Sequence, residues 1–199
     1  MTNNSARSTF RGLASPTEVA RRRELLAAPH MTQLVQYARD LRQSKGFAVP
    51  DFDPMDGGTS ASMLFLMEKP GPKASASGFI SRDNNDSTAQ ATSQFLAEAG
   101  IPRVDTLLWN AIPFWNGTIK VTSQELVAGV VHLADLLDLL PNLRAIVLVG
   151  RKAERALDLV SRLGLPVHTS YHPSPKNRAM AREKWNSIPG AWAQAYQAF

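Results

Sequence analysis

Two kinds of hydrophobic pattern alternate along the chain. Short, continuous apolar runs are typical of strands covered on both faces, and they occur at 63–67, 106–109 and 145–149. The segments between them carry apolar residues at helical spacing, and capping boxes at 87–90 and 122–125 open two of these predicted helices. A shorter, more polar run at 166–170 is typical of an edge strand. The pattern predicts an α/β fold: a three-layer α/β/α domain on a central, mainly parallel four-stranded sheet.

The same pattern sets the predicted element boundaries. Helical spacing begins at Pro16, is interrupted near Pro29 and ends at Gly46. Segments rich in proline, glycine and polar residues predict loops, and they cover 49–61 and 70–78. The remaining helices are predicted at 87–100, 122–140, 153–163 and 177–199, the last of them broken near Pro189. We expect residues 1–15 to form a flexible basic arm and residues 16–199 to form a single domain.

Composition narrows the possible chemistry. The 199 residues include no cysteine, which excludes disulfides, a thiolate nucleophile and metal sites built on thiolates. The histidines show no ligand spacing, so we expect neither a metal nor another cofactor. Hydrophobic residues make up 44% of the chain, yet no apolar run reaches the ~18 residues that a membrane span needs. These features agree with a cytoplasmic protein that has no membrane partner.

Basic residues point to an anionic partner. The formal net charge is +5, and several cations stand in the loops that follow predicted strands. These cations are Lys69, Lys73, Arg82, Arg151, Lys152, Lys176 and Arg178. The first 25 residues are also basic, as in an organelle transit peptide, but a solvated arm is the favoured interpretation.

Polar side chains follow three of the predicted strands at the point where each strand ends. Glu68 follows the first strand, Asn110 the second and His172 the fourth. Because the carboxyl ends of parallel strands meet at one edge of a sheet, these side chains are expected to lie around one crevice. Pro70 and Gly71 stiffen the first of these loops and let main chain approach a ligand.

Each candidate also has a structural interpretation. Asn110 offers a donor and an acceptor that match N3–H and O4 of uracil, although an asparagine can simply satisfy loop backbone. His172, fixed before a proline, could stabilise a ring oxygen that gains charge. Glu68 is either a catalytic carboxylate or a surface one. Phe79 could stack on a base or anchor a loop. The acids of the 83–86 loop could hold water or cap the following helix. Asp86 is better explained as the helix cap, so Asp83 is the stronger candidate for holding water.

Together these segments resemble the uracil-DNA glycosylase superfamily, over about residues 62–180. Met67-Glu68-Lys69-Pro70-Gly71 is similar to the family's Gly-Glu-x-Pro-Gly motif, with Met67 in place of the first glycine. Phe79 matches the aromatic residue that stacks on the base, and Asn110 matches the amide that reads uracil. His172-Pro173-Ser174-Pro175 matches the His-Pro-Ser-Pro loop that supplies the catalytic histidine.

The resemblance implies a monofunctional, metal-independent enzyme of base excision repair. Its partner would be uracil-containing DNA, and its products would be an abasic site and free uracil. Water activation would fall to Glu68 or to an acid of the 83–86 loop, Asp83 first, while Pro70 and Gly71 would contact the base. The expected DNA-binding residues are Lys73, Arg82, Ser174, Lys176 and Arg178. The wedge that fills the gap left by the flipped base would be Lys176, Asn177 or Arg178, with Arg178 preferred. We expect a monomer.

The chain departs from both branches of the family that it resembles. The Gly-Glu-x-Pro-Gly branch usually holds an iron–sulfur cluster on cysteines, which this chain lacks. The Gly-Gln-Asp-Pro branch has an acid where this chain has Lys69 and a tyrosine where it has Gly71, so exclusion of 5-methylated bases needs another explanation. Two alternatives therefore stay open: a non-catalytic nucleic-acid or abasic-site binding module, and an α/β hydrolase of free nucleosides or nucleotides.

Overall fold

The computed structural model describes residues 11–198, apart from the side chains of Lys45, Leu159 and Leu163. Its main sheet has four strands: β2 (Met63–Met67), β4 (Thr106–Asn110), β5 (Ala145–Val149) and β6 (Val167–Ser170). They are all parallel and lie in the order β4-β2-β5-β6. Two further short strands, β1 (Asp51–Phe52) and β3 (Phe79–Ile80), pair with each other in parallel. The predicted α/β fold with a parallel four-stranded sheet is confirmed.

Ten α-helices surround these strands within the described residues. They are α1 (Pro16–Leu25), α2 (Thr32–Lys45), α3 (Pro72–Ser77), α4 (Ser87–Glu98), α5 (Ser123–Val130), α6 (Leu133–Asp138), α7 (Leu157–Val160), α8 (Pro175–Met180), α9 (Arg182–Asn186) and α10 (Ile188–Gln197). No helix among residues 11–198 is long and apolar enough to cross a membrane.

Large aromatic side chains join the layers on the two faces of the sheet. On one face, Phe65 of β2 meets Trp192 of α10 with ring centroids 5.0 Å apart, and Phe95 of α4 packs on the same tryptophan. On the other face, Trp109 of β4 stacks on Phe52 of β1 at 3.7 Å. Both faces are thus covered, which is why β2, β4 and β5 are almost continuously apolar.

Several predicted boundaries need correction. The predicted loop at 70–78 contains α3, the predicted loop at 49–61 contains β1, and the last predicted helix is divided into α8, α9 and α10. The helix predicted to run to about residue 140 is divided into α5 and α6. These elements are short, so their hydrophobic periodicity is too weak to separate them from loops or from each other.

The amino-terminal boundary also differs from the expectation. Gly12–Ala14 form a 3₁₀ turn, Leu13 is 6% exposed, and its amide donates to the Asp83 carbonyl at 3.2 Å. Residues 12–15 therefore pack on the domain and are not part of a flexible arm. Residues 1–10 of the predicted arm lie outside the described residues.

Candidate active site

A cavity of about 290 Å³ opens at the carboxyl edge of the sheet. The ends of β2 and β4 and the turn after β6 meet there, as the parallel topology requires. Its walls include six of the site residues predicted from the sequence, namely Pro70, Gly71, Lys73, Arg82, Asn110 and His172. A β-carbon built on Gly71 would have no atom within 4 Å, so the main chain at this point can be approached closely by a ligand.

Asn110 points a buried amide into this cavity. It is the last residue of β4, pairs in register with Met67 and is 4% exposed. Leu108, two residues earlier and hence on the same face of the strand, lines the cavity with it. Backbone bonds from Ala111 to the Met67 carbonyl and from Ile112 to the Glu68 carbonyl fix the strand end. Among residues 11–198, no hydrogen-bond partner for the Asn110 amide is found, so the group is available to a ligand.

Glu68 and His172 meet above a glycine that ends β5. Gly150 has φ 91°, and a β-carbon built on it would lie 3.0 Å from the His172 Cβ and 3.2 Å from a Glu68 carboxylate oxygen. A side chain at position 150 would therefore push the two candidate catalytic groups apart. The Nζ atom of Lys152 lies 3.5 Å from the other Glu68 oxygen. The carboxylate thus has a cation on one side and the imidazole on the other.

His172 is held as a neutral imidazole. Burial lowers its pKa below the usual 6.5, and the negative charge of Glu68 offsets this only in part. Its carbonyl accepts from the Ser174 amide and from the Asn177 side-chain amide, both at 2.8 Å, which fixes the loop. A neutral ring has one N–H group that donates a hydrogen bond and one nitrogen that accepts one. The N–H group can therefore stabilise a developing oxyanion.

Asp83 does not reach this cavity. Its side chain is fully buried, and its Oδ2 atom accepts from Arg22 at 2.6 Å and from Arg103 at 2.7 Å. Two arginines therefore already bind the carboxylate, and it is not part of the cavity wall. The prediction that Asp83 activates water is not supported by this geometry. Glu68, which lies beside His172 but is not part of the cavity wall, and Asp86 remain as the candidate acids. Asp86 caps α4 by accepting from the Thr88 and Ala89 amides, and it also lines the cavity.

Arg82 is not available to bind DNA. Its side chain is 5% exposed, and its guanidinium lies 3.4 Å from Asp56 and donates to the Thr106 hydroxyl. Lys69 is likewise buried, and its ammonium contacts Glu125 and Asn116 at 2.7 Å each. Both residues follow strands in the sequence, but their charged groups are already engaged in ion pairs with other segments of the fold. The predicted DNA-binding role of Arg82 is therefore replaced by a structural one.

Phe79 is not part of the cavity wall, and its neighbour Ile80 is. Phe79 lies in β3, paired with Asp51 of β1, and is 1% exposed. The predicted stacking of Phe79 on a base is not supported by this placement. The apolar surface that a base would meet here comes instead from Ile80, Leu108 and Met67.

Of the remaining predicted DNA-binding residues, Lys73 is part of the cavity wall, whereas Ser174, Lys176 and Arg178 lie at the start of α8 or within it. Lys73 is exposed and lines the cavity, and Lys176 is exposed on α8. Ser174 caps α8 by accepting from the Asn177 amide at 3.3 Å. The Arg178 guanidinium lies 5.9 Å above the Trp185 ring and lines a separate cavity between α4 and the α8–α9 segment.

Two contributors to the site escaped the sequence analysis. Gly150 directly follows the apolar strand β5, and its close approach to Glu68 and His172 depends on the tertiary arrangement. Ile119 lines the cavity although it lies in a segment without periodicity. The position of Gly150 directly after a buried strand is a signal that the sequence offers. No feature of the sequence indicates that Ile119 lines the cavity.

Comparison with protein families agrees with this geometry. The family model of the uracil DNA glycosylase superfamily matches residues 54–195, a span that includes all four strands of the main sheet and the whole cavity wall. The chain therefore belongs to the uracil DNA glycosylase superfamily, whose members act on DNA as glycosylases. A search of curated proteins found no match to the chain.

Proposed function

We propose that this protein is a monofunctional uracil-DNA glycosylase. It would flip a uridine out of DNA, hydrolyse the N-glycosidic bond and leave an abasic site. The observation that carries the proposal is the Asn110 amide, which lines a cavity together with His172, beside Glu68. No hydrogen-bond partner for this amide is found among residues 11–198, so its donor and its acceptor are open to a ligand with matching groups.

Uracil supplies the matching groups. The Asn110 carbonyl can accept from N3–H while its NH₂ group donates to O4. The cavity of about 290 Å³ is near the lower end of the range for ligand pockets, as suits a single base. Gly71 leaves room for close approach on one side, and the buried Pro70 gives that wall a fixed shape.

The proposed chemistry divides between His172 and Glu68. When the bond between N1 and C1′ breaks, its electron pair moves into the uracil ring and negative charge develops on O2. The neutral His172 ring would donate a hydrogen bond to that oxygen. Glu68 would stabilise the cationic sugar and accept the proton of the water that attacks C1′. Uracil then leaves as an anion and takes up a proton from solvent.

DNA would be held by the exposed cations around the mouth. We expect the exposed Lys73 and Lys176 to contact phosphates, and α8 with Ser174 and Arg178 to face the same strand. Extruding a base costs a few kcal/mol, and least for mispaired bases. The enzyme would act as a monomer without a cofactor.

The contact between Lys152 and Glu68 favours one other candidate. The Lys152 ammonium at 3.5 Å occupies one oxygen of the carboxylate that would otherwise hold the attacking water, which suits a module that binds abasic DNA without catalysis. A gel assay separates the two functions. Purified protein is incubated with a uracil-containing oligonucleotide, and the strand is then cleaved by alkali. An alkali-dependent break supports the glycosylase, whereas uncut DNA with retained binding to abasic duplex supports the binding module.

A further inference from the structure

Lys152 stands beside the two candidate catalytic groups, on the turn that follows β5. Its ammonium lies 3.5 Å from one oxygen of the Glu68 carboxylate, and no second carboxylate among residues 11–198 pairs with it. The Lys152 side chain is 42% exposed and the Glu68 side chain 27%. An ion pair that is this open to water contributes little to stability, so another anion can take the place of the carboxylate.

The backbone of Lys152 is held in place, whereas its side chain is partly exposed. The 3₁₀ turn Ala153–Ala156 follows directly, and both of its terminal alanines are fully buried. The Glu154 amide donates to the Gly150 carbonyl at 3.1 Å, which closes the turn around Lys152. The turn therefore fixes the Cα atom of Lys152 at the carboxyl edge of the sheet, while the flexible four-carbon stem can move the ammonium without any change of backbone.

DNA brings competing anions to this position. In the proposed reaction, Glu68 and His172 act at C1′ of the flipped nucleotide, and the two phosphates that flank this sugar are the anions nearest to the reacting atoms. A phosphate of DNA releases condensed counterions when a lysine binds it, and this release favours the phosphate over a side-chain carboxylate. Glu68 and the phosphate therefore compete for one ammonium.

We propose that Lys152 is a binding site for a phosphate next to the flipped nucleotide, and that Glu68 occupies this site in the free protein. The inference rests on the proposed function, because only an extruded nucleotide brings its phosphates beside Glu68. When the ammonium moves to the phosphate, both oxygens of Glu68 become available to the attacking water. The substrate itself thus removes the contact that blocks the carboxylate, and Lys152 acts as a positioning residue.

Neutral phosphates test the contact without catalysis. Affinity is measured for a duplex with a stable abasic-site analogue, in which each flanking phosphate in turn is replaced by an uncharged methylphosphonate. Lys152→Met removes the ammonium and keeps the length of the stem. At one of the two positions, the neutral group should weaken wild-type binding by roughly three- to tenfold and should leave the binding of Lys152→Met unchanged. The slope of log K against log salt should also be smaller by about one in the variant.

Arg144→Met is the matched control. Arg144 is exposed and directly precedes β5, so it lies at the opposite end of the strand that Lys152 follows. This variant loses the same charge away from the site, and it should show the full wild-type response to the methylphosphonate. Equal losses for wild type and Lys152→Met at both positions would overturn the phosphate site.

Excision kinetics test the release of Glu68. If the ammonium has left the carboxylate once DNA is bound, Lys152→Met should excise uracil within about twofold of the wild-type rate at saturating DNA, and only its KM should rise. Lys152→Arg, which keeps the charge, should restore the wild-type KM. A rate at saturating DNA that rises or falls about tenfold would overturn the exchange, because Lys152 would then act on Glu68 in the complex. Wild-type protein that excises no uracil would instead overturn the proposed function, and the methylphosphonate comparison would still decide the phosphate site.

Discussion

Asn110 and His172 owe their positions in the site to the ends of two parallel strands. Asn110 completes β4 and points its amide into the cavity, while His172 stands two residues beyond β6 with its ring held neutral by burial. The sequence predicted both, because a polar residue at the end of a buried strand does not belong to the hydrophobic pattern of that strand. It could not decide between Glu68 and Asp83, because the pairing of Asp83 with Arg22 and Arg103 joins segments far apart in the chain.

Asn110→Asp tests whether the Asn110 amide recognises uracil through its hydrogen bonds. The change replaces the donor that would face O4 with an acceptor, and a site built on such a bond discriminates strongly. Single-turnover excision of uracil should fall by roughly 10²–10⁴. The matched control is Asn85→Asp, an exposed asparagine outside this cavity, which should keep the wild-type rate. A normal rate for Asn110→Asp would mean that the amide serves only the loop.

Glu68→Gln and Asp83→Asn should have different consequences. Loss of a catalytic carboxylate lowers rates by roughly 10²–10⁴, so Glu68→Gln should slow excision without lowering the melting temperature. Asp83→Asn weakens the binding of the buried Arg22 and the half-buried Arg103, so it should lower the melting temperature while the folded fraction keeps its rate. Rates and thermal melts of both variants check this. A severe rate loss in stably folded Asp83→Asn would return the acid's role to that residue.

The lowered pKa of His172 predicts how the excision rate and the free energy of unfolding change with pH. Its pKa is lower in the folded protein than the usual 6.5, because burial disfavours the charged ring. The neutral ring therefore persists below pH 6.5, and the His172-dependent part of the rate should decline only when the pH falls through the lowered pKa. Between the two pKa values the unfolded chain binds more protons, so His172 should also reduce the free energy of unfolding as the pH falls below about 6.5.

The measurement is a pair of pH profiles. His172→Ala should slow excision at saturating DNA with little change in affinity, because the charge on O2 appears only in the transition state. Its denaturant unfolding profile should lose the wild-type decline that begins near pH 6.5. A variant that chiefly weakens DNA binding would contradict the assigned role.

At the scale of elements, the end of β5 positions both catalytic groups. Gly150 adopts φ 91°, which favours glycine, and it also leaves the space in which Glu68 and His172 meet. The three apolar strands were predictable because both of their faces are buried. The two-residue strands β1 and β3 were not, since so short a segment has no period to detect, and the missed β3 explains the wrong expectation for Phe79.

Gly150→Ala should damage the site more than the fold. The new methyl would meet His172 at 3.0 Å and Glu68 at 3.2 Å, so excision should fall about tenfold or more as these groups shift. Gly164→Ala is the control: Gly164 also has a positive φ of 69°, but its added methyl would have no atom within 4 Å. Both variants should lose about 1 kcal/mol from backbone strain, and only Gly150→Ala should lose activity. Equal rates for the two would contradict the crowding argument.

At the scale of the whole molecule, a buried cluster of ion pairs ties the first helix to the domain. Arg22 of α1 is 1% exposed and contacts Asp53 and Asp83, and Arg103 contacts the same two carboxylates. Burial raises the pKa of Asp53, but the charges of Arg103 and Arg22 outweigh it and hold that pKa below the usual value. The sequence did not predict this cluster, because Arg22, Asp53 and Arg103 belong to separate segments and nothing local shows that the fold brings them together.

Arg22→Met should strongly destabilise the fold. Removing one partner leaves Asp53 and Asp83 with less compensation in a buried site, which typically costs about 3–5 kcal/mol. Arg21→Met is the control, since Arg21 is exposed and forms its ion pair with Glu18 on the same helix and at its surface, where such pairs contribute about 0–1 kcal/mol. Urea unfolding of both variants measures the difference. Similar stabilities would mean that the cluster contributes little to the fold.

If the cavity around Asn110 and His172 removes uracil from DNA, excision depends on both residues. Single-turnover excision is measured on a uracil-containing oligonucleotide, with chelator present, for wild type, Asn110→Asp and His172→Ala. Wild type should produce an alkali-dependent strand break, and both variants, each folded as wild type, should be slower by roughly 10² or more. Folded wild-type protein that leaves the uracil strand intact, or variants that excise it at the wild-type rate, would show that this cavity does not carry out the reaction.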